Sequence, residues 1–119
     1  MANEIRYSLS FQLSNGNNDY TYQKGVSVDQ AAEGGPSPGT VNVGTVEETI
    51  DLSELGSEGM AVLINLDDTN YVQLGASAGS YLLKLMPGEP QLVRLTPGLT
   101  LYAKANTAAC IVAFNIFEA

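Results

Sequence analysis

The sequence holds no histidine, no tryptophan, one cysteine and only five lysines and arginines. Each shortage closes off a class of function. Without histidine, the usual general base at neutral pH and the commonest metal ligand are both missing. The lone Cys110 cannot form an internal disulfide. In Ala109-Cys110-Ile111-Val112 it reads as a small buried hydrophobe, with no histidine or close lysine to activate it. Lack of tryptophan weakens any carbohydrate-stacking platform, although tyrosines at positions 7, 20, 22, 71, 81 and 102 are suited to an interface. With 13 acids against five bases, the formal charge is −8 and the pI near 4.1. A direct nucleic-acid partner is not expected, because phosphate binding needs a basic face. The longest apolar runs fall far short of the roughly 20 residues that span a bilayer. Met1-Ala2-Asn3-Glu4 lacks the features of a secretory leader. The expectation is a soluble protein made in the cytoplasm, without a membrane partner.

Motifs of catalysis are missing too. There is no nucleophile elbow and no phosphate-binding glycine loop opening a helix. Carboxylate pairs occur at Glu47-Glu48 and Asp67-Asp68, but neighbours on a strand point to opposite faces. Asp67, Asp68 and Asn70 have the oxygen chemistry of calcium ligands, yet their spacing reads better as an acidic turn. The chain is not expected to be an enzyme, and it calls for no cofactor and no metal.

What is present is β-structure. Ile5, Tyr7, Leu9, Phe11 and Leu13 alternate with Arg6, Ser8, Ser10 and Gln12, the period of a half-buried strand. Asn15 to Asp19 supply turn residues, and Tyr20-Thr21-Tyr22 resume the alternation, so a hairpin is expected. Asp29 to Thr40 contain Gly34, Gly35, Pro36, Pro38 and Gly39, read as a long loop that either connects or interacts. Asp51 to Gly56 could form one helical turn. From Met60 onward, short strands alternate with turns about every ten residues. With 119 residues, 45% of them hydrophobic, one domain over 1–119 is expected. Its fold class is all-β: an antiparallel, jelly-roll-like sandwich of about eight to ten short strands.

Charge is unevenly placed. Nine acids and no base fall between Gly25 and Leu83, whereas Lys84, Arg94 and Lys104 recur at intervals of ten residues. If their strands are sheet neighbours, the three cations form a stripe that could meet an acidic surface on a second subunit.

The order Ile64-Asn65-Leu66-Asp67, Thr69-Asn70-Tyr71-Val72, Leu85-Met86-Pro87-Gly88-Glu89, Leu95-Thr96-Pro97-Gly98 and Leu101-Tyr102-Ala103-Lys104-Ala105 resembles small virion proteins of tailed bacteriophages. The similarity runs over residues 60–119. It implies a structural part of the particle, with no catalytic residues. Within that group, a capsid decoration or cement protein is expected, located on the capsid surface and bound to the major capsid protein. Shell contacts are expected from Ala2, Asn3, Glu4 and Ile5, and from Asp29, Glu33, Gly34, Gly35, Pro36 and Pro38 in the loop. A homo-oligomer, dimer or trimer, is expected because such proteins usually sit at symmetry axes. The alternatives are a receptor- or carbohydrate-binding module of a tail or head fibre, and a tail or neck subunit repeated in a ring.

Overall fold

The computed structural model describes residues 3–119, and among them there are ten strands and no helix. Strands β1 (Ile5–Asn15) and β2 (Asn18–Val28) form an antiparallel hairpin. Asn15 faces Asn18, so the turn is only Gly16-Asn17. Gly16 takes φ +61°, the glycine-first arrangement that matches the twist of a two-residue hairpin.

The remaining strands are β3 (Ser37–Val43), β4 (Glu48–Ile50), β5 (Glu58–Asn65), β6 (Val72–Gly75), β7 (Leu83–Leu85), β8 (Pro90–Arg94), β9 (Leu101–Ala105) and β10 (Cys110–Glu118). One sheet runs β3-β10-β5-β8 and the other β4-β9-β6-β7. Within the sandwich, only β6 and β7 are consecutive and paired, and every other connection from β3 to β10 crosses from one sheet to the other. That winding is the jelly roll. The antiparallel sandwich expected from the turn spacing is therefore what forms. By proximity the chain falls into two compact units, Met1–Ala31 with the hairpin and Ala32–Ala119 with the sandwich.

The sandwich core lies between its two sheets. Val112, Phe114 and Ile116 of β10, Ala61 and Leu63 of β5, Val72 and Leu74 of β6, Leu85 of β7 and Leu101, Ala103 and Ala105 of β9 are all buried. Their alternation along each strand is the inward half of the pleat. Cys110 is buried among them, where the sequence placed it.

Two local expectations are corrected. The loop expected over Asp29 to Thr40 ends earlier, because Ser37–Val43 is strand. Pro38 is tolerated there since β3 is the edge of its sheet, where a missing N–H leaves no ladder bond unmade. Asp51 to Gly56 is a turn, not a helical one. It is closed by Leu55 N–H donating to Leu52 O at 3.1 Å, while Asp51 Oδ1 takes the Ser53 N–H at 2.9 Å. An aspartate that bonds the backbone two residues on stabilises a turn in competition with a helix.

Phe114 is the largest fully buried side chain. Its replacement by Ala is expected to cost about 3–5 kcal/mol through lost transfer energy and a residual cavity. Equilibrium urea unfolding of Phe114→Ala measures it.

Candidate interaction surfaces

The two sheets expose different chemistry on their outer sides. Across β9, β6 and β7 the paired residues Lys104, Gln73 and Lys84 lie in one row, and Thr49 pairs with Tyr102 beside them. This outer face is polar. Lys84 Nζ sits 4.1 Å from the centre of the Tyr71 ring, a cation held over an aromatic face. Lys104 acts electrostatically on Glu47.

On the other sheet the rows read Pro38-Asn115-Val62-Leu92 and Thr40-Ala113-Ile64-Pro90, with Ile111 opposite Asn42. These residues alternate with the inward set, so Val62, Ile64, Leu92, Ile111 and Ala113 form an apolar outer face. Strands β5 and β10 thus carry apolar residues on both sides, the pattern of strands covered twice. Ile111 is 50% exposed and Leu66, which donates its N–H to Ile111 O at 2.9 Å, is 55% exposed.

The cations of the expected stripe are split between these faces. Lys84 and Lys104 share the polar face with β6 between them, while Arg94 lies on β8 of the other sheet, opposite Met60. The strands that carry them, β7, β8 and β9, are not sheet neighbours of one another in this winding. The condition for a three-residue stripe is not met.

The residues expected to touch a shell also divide. At the base of the hairpin, Asn3 N–H donates to Asp29 Oδ1 at 2.6 Å and Gln30 N–H to Glu4 Oε1 at 3.1 Å. Ile5 pairs with Val28. Asn3, Glu4, Ile5 and Asp29 therefore gather in one place; Ala2 lies outside the described residues. Glu33 is exposed on the connection. Gly34, by contrast, is tied to the end of β10. Its N–H donates to Glu118 Oε1 at 3.0 Å and its carbonyl accepts from Glu118 N–H at 2.9 Å. Glu118 Oε2 takes the Gly56 N–H at 2.6 Å, so one carboxylate fastens two loops. Gly35 has φ +111°, and a Cβ there would lie 2.7 Å from Ile116 O and 2.8 Å from Phe117 Cα. Pro36 follows directly and Pro38 is in β3. This part of the loop is a fixed cover on the sandwich.

Acids that looked like a possible partner surface prove to fasten turns. Glu47 Oε1 accepts the Gly79 N–H at 2.6 Å and the Tyr81 hydroxyl. Glu48 Oε2 accepts Gly44 N–H at 3.2 Å, and the buried Glu58 accepts Gly98 N–H at 3.0 Å. Asp67 Oδ2 accepts the N–H groups of Thr69 at 2.9 Å and Asn70 at 2.6 Å, and Asp68 takes the Thr69 hydroxyl at 2.9 Å. The neighbouring carboxylates of each pair serve different donors. Sequence reasoning missed these locks, although the signal was present: Asp67 precedes Thr69 and Asn70 at the spacing of an Asx turn.

The stretch Asn65 to Asn70, central to the resemblance, is organised by a buried amide. Asn65 Nδ2 donates to Asn70 O at 2.8 Å and Leu85 O at 3.1 Å, and Oδ1 accepts Asp67 N–H at 3.0 Å. Thr107 donates its hydroxyl to Asn70 Oδ1 at 2.6 Å, and the Cys110 thiol points to Asn70 O at 3.6 Å. Burial, and then the charge of Asp67, push the Cys110 thiol up, away from the thiolate that reactivity needs. The motif is structural.

An open groove of about 500 Å³ runs beside β4, lined by Thr49, Asp51, Ser53, Glu58 and Thr100 among others. Ile50, Leu52 and Leu99 complete a mixed lining that includes no aromatic residue. No protein-family model, curated protein or solved structure matches the chain.

Two predictions follow from these fastenings. Gly35→Ala combines a disfavoured φ with a backbone clash, and is expected to lose at least about 2 kcal/mol of stability; denaturant unfolding against Gly25→Ala, where a Cβ meets nothing, measures the difference. The Tyr81 hydroxyl and Gly79 N–H hold the Glu47 carboxyl below its ordinary range, and the Asn70 and Thr69 N–H groups do the same for Asp67. A carboxyl lowered on folding contributes stability that is complete above its unfolded value and fades as pH falls through the folded one. The melting temperature is therefore expected to decline as pH drops below the ordinary carboxyl range of about 4, with a shallower decline in Glu47→Gln. Thermal melts across that range check it.

Proposed function

We propose that the chain is a bacteriophage virion structural protein, a capsid decoration or cement protein that binds the head exterior and stabilises the shell. The observation that carries this reading is the resemblance of residues 60–119 to small virion proteins. The jelly roll formed by that same stretch with β3 and β4 is consistent with it, since the architecture recurs in virion components, although a fold by itself does not set a function. The motif residues behind the resemblance hold turns and sheets together, as expected of a part that works by shape and surface. The major capsid protein is the proposed partner. Asn3, Glu4, Ile5 and Asp29, gathered at the hairpin base, together with Glu33, are the proposed shell contacts. Gly34 to Pro36 act by fixing the chain that leads away from them.

The receptor- or carbohydrate-binding alternative has one feature in its favour, the open groove beside β4. Its hydroxyl and carboxylate lining suits a sugar's hydrogen bonds, but it offers no ring on which a sugar can stack.

Co-sedimentation of purified protein with intact, undecorated heads tests the proposal. Saturable binding at a fixed ratio to the major capsid protein is expected, weakened in Glu4→Lys with Asp29→Lys. Lack of binding at both low and high salt would reject the decoration role and direct attention to tails, fibres and a glycan screen.

A further inference from the structure

The hairpin is a one-sided ribbon. On one face lie Arg6, Ser8, Ser10 and Gln12 with their partners Ser27, Gly25, Gln23 and Thr21. On the other, Tyr7 pairs with Val26, Leu9 with Lys24, Phe11 with Tyr22 and Leu13 with Tyr20. Phe11 and Tyr20 also meet diagonally, ring centres 5.9 Å apart. No described residue of β1 or β2 is buried. Leu9 and Phe11 are each 50% exposed, Tyr20 55% and Tyr22 42%. A two-stranded ribbon is at best marginally stable in water unless its apolar face is covered. The sandwich carries a second apolar face, the outer side of β5 and β10 around Ile64 and Ile111.

We propose that the apolar face of the hairpin of one copy lies on the outer face of sheet β3-β10-β5-β8 of a second copy, and that this contact repeats to close a ring. It goes beyond the shell-binding reading and does not rest on it. Three observations select this occupant. The first is charge: of the formal −8, residues Met1–Ala31 carry −1 (Glu4, Asp19 and Asp29 against Arg6 and Lys24), which leaves −7 on Ala32–Ala119. Sandwich against sandwich would set −7 against −7, whereas ribbon against sandwich sets −1 against −7 and lowers the repulsion between copies.

The second is Lys24, the one charge on the ribbon's apolar face, midway along it opposite Leu9. Two ribbons stacked on a two-fold axis would bring both Lys24 side chains into one dry seam. The outer face of the sheet carries a single cation, Arg94, on the β8 edge opposite Met60, and towards the other edge it offers the side-chain oxygens of Thr40, Asn42 and Asn115 beside its apolar residues.

The third is size. The apolar stretch Ile5 to Leu13 and strand β10 (Cys110–Glu118) are both nine residues long, about 30 Å at strand rise. Half-exposed aromatics of this size leave about 500 Å² of the ribbon to cover, so a contact buries about 1,000 Å² in total, at the floor for specific association. A head-to-tail contact gives each subunit two of them, and such contacts close when the rotation permits.

Light scattering after size exclusion, with circular dichroism to verify folding, tests the proposal on purified protein without capsids. Wild type is expected to be a homo-oligomer. Phe11→Ser with Tyr22→Ser on the ribbon, and Ile111→Lys on the sheet, are each expected to give monomers. Gln73→Glu on the polar face is expected to leave the mass unchanged. Because the two surfaces differ, mixing the ribbon variant with Ile111→Lys should restore one contact and yield a one-to-one dimer. A monomeric wild type, an oligomer that survives Ile111→Lys, or failure of the two monomers to pair would overturn it. Loss of capsid binding by an intact oligomer would count against the decoration role alone.

Discussion

A single buried amide, that of Asn65, ties the two sheets of the sandwich to each other. Asn65 ends β5 in one sheet, and its side chain reaches Leu85 O in the other. Both halves of the amide are satisfied, and its oxygen and nitrogen together set the turn that carries the chain across from β5 to β6. A buried amide without partners costs about 1–3 kcal/mol per group, so only one relative placement of Asn65, Asn70 and Leu85 is acceptable. Hydrophobic burial alone tolerates sliding between the sheets; this bond set does not. Asn70 then passes the constraint on to Thr107, in the connection between β9 and β10, through its side chain.

Around that hub, carboxylates do the local fastening. The acids from Glu47 to Asp68 look like a solvated or partner-facing surface in the sequence, yet most of them cap backbone N–H groups in turns. Their strength comes from charge-assisted bonds, and for that reason it depends on pH. A chain with few bases can keep many acids in this way without pairing them to cations. Glu118 takes the idea furthest, holding Gly34 and Gly56 from opposite sides of its carboxylate.

Much of the fold was legible because strand periodicity and turn chemistry are local. The alternation of Ile5 to Leu13 and the turn at Gly16 gave the hairpin, and the Pro-Gly turns at 87–88 and 97–98 gave the later strand ends. What stayed hidden was non-local. The ten-residue rhythm of Lys84, Arg94 and Lys104 records order along the chain, whereas the jelly roll deals successive strands to alternate sheets. Pro38 read as loop because proline is excluded from central strands, and only the sheet order reveals that β3 is an edge. The apolar residues at 62, 64 and 111 sat in runs whose inward half explained them sufficiently. Their outward exposure becomes visible only once a second sheet is known to cover just one side.

The place of β10 in its sheet has a consequence for biosynthesis. It lies between β3 and β5, so β3 has no neighbour to pair with until everything through Glu118 has been made. The hairpin can zip as soon as β2 emerges, but the sandwich must wait, and its early strands spend synthesis as unpaired edges. Long-range pairing of this kind folds slowly and exposes sticky intermediates. On a crowded polysome, premature association between nascent chains is then limited by their strong negative charge, a colloidal safeguard during the interval before closure.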